Sequence, residues 1–125
     1  MKAFKHSILG LLVVSSFQSF AQTSILSEDF QSGIPISFTL VDNDGLDPDP
    51  AVAEYTAPWI SVVDPEDNMN LVAGSTSFFN PTGKADCWLI TPQLVLGAYG
   101  NKITWDAKSH DASFPDDYLV MVSTT

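Results

Sequence analysis

Beyond residue 21 the apolar positions recur in short runs, and none carries the i, i+3, i+4 spacing of an amphipathic helix. Alternation is clearest near the end of the chain. Ile103, Trp105 and Ala107 share one face, with Thr104, Asp106 and Lys108 on the other. Leu119, Met121 and Ser123 oppose Tyr118, Val120 and Val122. The pattern predicts strands over 25–30, 37–41, 59–63, 75–79, 87–91, 93–96, 102–109 and 118–123. Turn formers separate them. Asp42-Asn43-Asp44-Gly45 and Asp47-Pro48-Asp49-Pro50 make one long acidic loop, and Asp64-Pro65-Glu66-Asp67-Asn68 makes another. Asn80-Pro81-Thr82-Gly83 and Gly97-Ala98-Tyr99-Gly100-Asn101 read as turns. Short strands with such breaks predict an all-β fold, a β-sandwich of jelly-roll type. Trp88 and Trp105 are then expected in the core, and Trp59 partly exposed where a strand opens.

The first 21 residues follow another pattern. Lys2 and Lys5 precede an apolar stretch from Ile8 to Val14, and Ser19-Phe20-Ala21 supplies small residues at a cleavage point. This is the order of a secretory signal peptide, with the working part starting near Gln22. The apolar stretch is well short of the ~20 residues that span a bilayer, so no membrane insertion is expected after signal removal. The expected location is secreted or cell-surface.

Residues 22–125 make one small domain. They keep Lys84, Lys102 and Lys108 against all 15 acids, and the whole chain has no arginine. Nucleic-acid binding needs a cationic footprint, so it is excluded as a function class. An acidic exported chain favours divalent cations instead. Cys87 is the single cysteine, so no intrachain disulfide can form, and a bound metal is the natural staple for a small exported domain. Cys87 itself, in the run Cys87-Trp88-Leu89-Ile90, reads as a small buried hydrophobe.

The most chemical segment is Asp42-Asn43-Asp44-Gly45-Leu46-Asp47-Pro48-Asp49. Carboxylates at alternate positions on a tight turn can converge on one hard cation, with loop carbonyls filling other sites. It is not an EF-hand, because Leu46 and Asp47 stand where that loop needs an oxygen ligand and a glycine. The alternative is a solvated acidic loop. Calcium is the expected cofactor, with Asp42 and Asp44 as leading ligands. Glu28 and Asp111 are further candidates that depend on strands meeting in the fold. His110 and Asp111 are neighbours, which a strand would turn to opposite faces, so a Ser-His-Asp triad is not supported. A glycosidase-like carboxylate pair, with Asp116 or Asp117, rests only on the abundance of acids.

Several pieces in order resemble the cleaved-adhesin, or choice-of-anchor J, domain family found in gingipain adhesin regions. They are Glu28-Asp29-Phe30 with Gly33-Ile34-Pro35, then Phe38-Thr39-Leu40-Val41-Asp42-Asn43-Asp44-Gly45, and Trp59 where the family has an aromatic. Asp86-Cys87-Trp88-Leu89-Ile90-Thr91-Pro92 follows the family's Asp-Asn-Trp-Leu-x-Thr-Pro element. Lys102 to Lys108 and Asp111 to Thr125 complete the resemblance. Cys87 stands in place of the usual Asn, and the acidic loop is richer in Asp-Pro. Family domains also continue for several strands past the Ser-Thr-Thr element.

The resemblance implies a jelly-roll sandwich with structural calcium, and a role in adhesion or substrate binding rather than catalysis. The expected function is therefore an exported, non-enzymatic module binding an extracellular glycan or protein ligand, within a larger parent chain. A secreted hydrolase and a purely structural spacer are the alternatives. Tyr118-Leu119-Val120-Met121-Val122 is apolar on both faces, as a central strand is, and lacks a following partner. Residues 22–125 are accordingly expected to be the N-terminal part of an incomplete domain.

Overall fold

A computed structural model describes residues 22–124, so the expected signal peptide lies outside the described residues. The chain is all-β, as its pattern predicts. Its strands are β1 (Thr39–Asp42), β2 (Ile60–Asp64), β3 (Asp67–Gly74) and β4 (Cys87–Ile90), with one turn of 3-10 helix at Pro50–Val52. They form two small antiparallel sheets. β1 pairs with β4 in the register Thr39↔Ile90 to Asp42↔Cys87. β2 and β3 form a hairpin in the register Ile60↔Gly74 to Asp64↔Asp67, irregular between Val63 and Asp64. No described strand of one sheet packs directly against a strand of the other. No helix among the described residues is long and apolar enough to cross a membrane.

β3 corrects the reading of 64–68 as a loop. The connection is only Pro65 and Glu66, and the strand resumes at Asp67. Two carboxylates tie the turn locally: Asp64 accepts from Glu66 N at 2.9 Å, and Asp67 accepts from Met69 N at 3.0 Å. Asp67-Asn68-Met69-Asn70 has weak strand propensity, and of these four only Asp67 has a partner in β2, Asp64; the register shifts across Asn68 to Asn70 and regular pairing resumes at Leu71. The Gln31 side chain adds a peptide-like contact at β3, accepting from Leu71 N at 3.4 Å and donating to Leu71 O at 3.3 Å.

The other expected strands, 25–30, 75–79, 93–96, 102–109 and 118–123, form no ladder among the described residues, apart from an isolated bridge at Phe79. Sheet hydrogen bonds need a facing neighbour, so an alternating pattern alone does not make a strand. The consequence is visible at Trp105. Expected in the core, it is 52% exposed, and no described strand pairs with its segment.

Among the described residues Phe79 is the one buried apolar side chain and Asp64 the one buried charge. Phe79 bridges to Pro48, and the flanking bonds Asp49 N to Phe78 O at 2.9 Å and Asn80 N to Asp47 O at 3.1 Å pin the acidic loop. Asp64 is met by Lys108, which also donates to Glu66 at 2.8 Å, while Asn70 Nδ2 donates to Asp64 at 3.1 Å. Residues 102–109 are thereby tethered to the hairpin by charge.

This tether carries a pH dependence. The hydrogen bond from Lys108, and next that from Glu66 N, outweigh burial and hold the Asp64 carboxyl down to about 2. Lys108 is pushed up, first by its bond to Asp64 and then by Glu66. A depressed carboxyl stabilises the fold above its unfolded value of about 3.9, and that contribution is lost as pH falls towards the folded value. A raised lysine contributes below its unfolded value of about 10.4 and loses its effect above it. Lys108→Met therefore lowers the melting midpoint at neutral pH, and its curve converges with the parent's in strong acid. Midpoints recorded against pH check this, and parallel curves throughout would contradict it.

Candidate metal centre

The acidic loop is built by its own side chains. Asp42, the last residue of β1, accepts from Gly45 N at 2.8 Å, and Asp44 accepts from Leu46 N at 2.9 Å. Gly45 sits at φ +60°, which an L side chain rarely adopts, so glycine is what lets the turn close. The loop is then fastened to β4. Asn43 N donates to Asp86 O at 3.0 Å, and the second oxygen of Asp44 accepts from Asp86 N and from the Cys87 thiol at 3.4 Å. Further along, Asp49 caps the 3-10 turn by accepting from Ala51 N at 2.9 Å, with Pro50 supplying the fixed φ of a first helical position.

Ligand atoms of Asp42, Asp44 and Cys87 all lie within 4.8 Å of one another. Two of the four candidate ligands, Asp42 and Asp44, are thus brought together. The other two stand elsewhere. Glu28 accepts from Phe30 N at 2.7 Å and lines a different cleft with Trp105. Asp111 accepts from Ser113 N at 2.8 Å within its own turn.

Cys87 is the residue that sequence reading missed. Pairing β4 with β1 sets it opposite Asp42, a relation between positions far apart in the chain. The cysteine is half-buried rather than a core hydrophobe. Burial, then its hydrogen bond to Asp44 and the charges of Asp44 and Asp42, pushes its pKa up to about 11. At neutral pH it is a thiol donor to Asp44, not a thiolate nucleophile. Burial also raises the Asp44 pKa, but hydrogen bonds from Asp86 N, Leu46 N and Cys87 outweigh it, so the net shift is downward. Asp44 is therefore a carboxylate at neutral pH.

The donor set fits a hard cation. A carboxylate offers about four lone-pair sites, and Asp44 uses three. Asp42 has one oxygen that accepts from no described donor. The protonated thiol adds nothing that a hard cation prefers. Beside the pair lies a cleft of about 440 Å³, whose wall includes Asp47, Tyr55, Pro58 and Phe79.

Two known proteins of the same name match the chain. The chain is similar to Hemagglutinin A of Porphyromonas gingivalis, 28% identical over 113 residues in one version and 30% identical over 112 residues in the other. These matches cover 83% and 82% of this chain. The chain spans only 5% and 4% of the length of those relatives. No family profile matches the chain, and no solved structure matches it.

Proposed function

We propose that this chain is part of an exported, calcium-stabilised adhesion module that binds an extracellular glycan or protein and performs no chemistry on it. The observation that carries the reading is the similarity to a hemagglutinin over most of the chain. The described residues fit it in two further ways. The Asp42–Asp44 pair has the donor chemistry for calcium, and the one cysteine is held as a protonated thiol. Calcium bound there would join the end of β1 to the loop that follows it and offset the repulsion of the two carboxylates. Asp42 and Asp44 would hold it, and loop carbonyls or water would complete its oxygen shell.

The test is retention on arrays of immobilised glycans and extracellular matrix proteins, with calcium present and the chain shown to be folded. Saturable binding to at least one ligand, with no turnover of it, is the expected result. Uniform failure to bind, or cleavage of a ligand that is lost on Asp116→Asn or Asp117→Asn, would replace this reading with the spacer or the hydrolase respectively.

A further inference from the structure

The outer edge of β3 is held by a side chain where a sheet would have a strand. Gln31 accepts from Leu71 N at 3.4 Å and donates to Leu71 O at 3.3 Å, and its amide nitrogen also donates to the Asn70 side chain. Leu71 N and O therefore point away from β2, and by alternation so do those of Ala73. Across a cleft from this edge lie Thr104, Trp105 and Asp106, whose backbone groups enter no ladder among the described residues. We propose that residues 103–107 are a strap that closes on β3 as a third, antiparallel strand, and that Gln31 is the latch competing with it for Leu71. The proposal needs neither the calcium nor the adhesion reading.

Direction and register follow from three contacts. Lys108 donates to Asp64 and Glu66 at the turn of the hairpin, where β3 begins. Thr104 and Trp105 line the cleft further along β3, with Val72 and Ala73. The segment thus runs opposite to β3. Asn70 and Lys108 both donate to Asp64, so the even-numbered side chains of β3 and of the strap share a face. Facing residues of a ladder place their side chains on one face, so even meets even. With Asn70 and Val72 lining the cleft beside Asp106 and Thr104, the closed register is Asp106↔Asn70, Trp105↔Leu71, Thr104↔Val72 and Ile103↔Ala73.

This register sorts the side chains by polarity. Ile103 and Trp105 come beside Ala73 and Leu71, while Thr104, Asp106 and Lys108 stay on the face of Asn70. Trp105 N and O would also replace the Gln31 amide at Leu71, two hydrogen bonds for two. Leu71 therefore favours neither arrangement strongly. The added pair between Ile103 and Ala73 favours closure, and the entropy of ordering the segment opposes it.

Amide hydrogen exchange, read residue by residue by NMR, compares the parent chain with Gln31→Ala. In the closed strap Ile103 and Trp105 turn their N–H groups to β3, and Thr104 and Asp106 turn theirs outward. The expected result is that Gln31→Ala slows exchange at Ile103 and Trp105 about tenfold and leaves Thr104 and Asp106 unchanged. Adding Lys108→Met releases the end of the strap and reverses most of that gain. Protection at Val62 and Val72, which face each other in the hairpin, shows that each variant is folded. A second measurement decides the matter if Gln31→Ala is not folded. Val72→Cys with Thr104→Cys, in a Cys87→Ser background, puts two thiols at facing positions within reach of a disulfide. Mild oxidation is expected to bridge them faster than Val72→Cys with Asp106→Cys, which is two residues out of register. Unchanged exchange at Ile103 and Trp105 in folded Gln31→Ala, slowing without alternation, or equal bridging of the two cysteine pairs would overturn the strap.

Discussion

Phe79→Ala lowers stability by about 3–5 kcal/mol, the usual range for truncating a buried phenylalanine, while Phe78→Ala next to it stays within about 0.5 kcal/mol. The contrast follows from burial. Phe79 is 5% exposed and Phe78 54%. Ordinary domains have a net stability of only about 5–15 kcal/mol, so the first change removes a large fraction of it. The effect also reaches the acidic loop. Phe79 bridges to Pro48 and lines the cleft beside Asp42 and Asp44, so its loss frees the loop from the segment that pins it. Chemical denaturation of both variants checks this. Equal losses would mean that Phe79 is not the anchor.

The second large effect concerns the acid pair. On the proposed calcium site, Asp42→Ala with Asp44→Ala is expected to abolish any rise in the melting midpoint with calcium. For a ligand that binds only the folded state, that stabilisation amounts to about 2.7 kcal/mol at a hundred times its dissociation constant. The two positions are not equivalent without calcium. Asp44 accepts hydrogen bonds from Leu46 N, Asp86 N and Cys87, and so fastens the loop to the start of β4. Asp42 accepts one, from Gly45 N. In chelator Asp44→Ala therefore destabilises more than Asp42→Ala, because it leaves more donors without a partner. Its depressed pKa gives the same contribution a sign in pH. It is present above about 3.9, the unfolded carboxyl value, and is lost as pH falls through the lower folded value.

Local chemistry was legible in the sequence, and long-range pairing was not. Asp42, Asp44 and Gly45 converge because an Asx-type turn depends on neighbours, which the sequence displays. Strands at Thr39–Asp42, Ile60–Asp64 and Cys87–Ile90 fall where apolar runs meet turn formers. β3 is hidden in the sequence because its first half is polar and only Asp67 in that half has a partner in β2. The surroundings of Glu28 depend on how the strands meet, and the fold sets it in a cleft with Trp105. Alternation places Trp105 in the core, but a face is buried only if another element covers it. Tyr118, Leu119, Met121 and Val122 are exposed for the same reason.

The proposed site requires that a divalent cation hold the Asp42–Asp44 loop. Thermal melting of the parent chain and of the Asp42→Ala, Asp44→Ala double variant, each in calcium and in chelator, asks this directly. The expected result is a parent midpoint that rises with calcium concentration and falls in chelator, and a double variant that is folded at low temperature and indifferent to calcium. An unchanged parent midpoint in calcium and chelator, or a double variant that still responds to calcium, would contradict it.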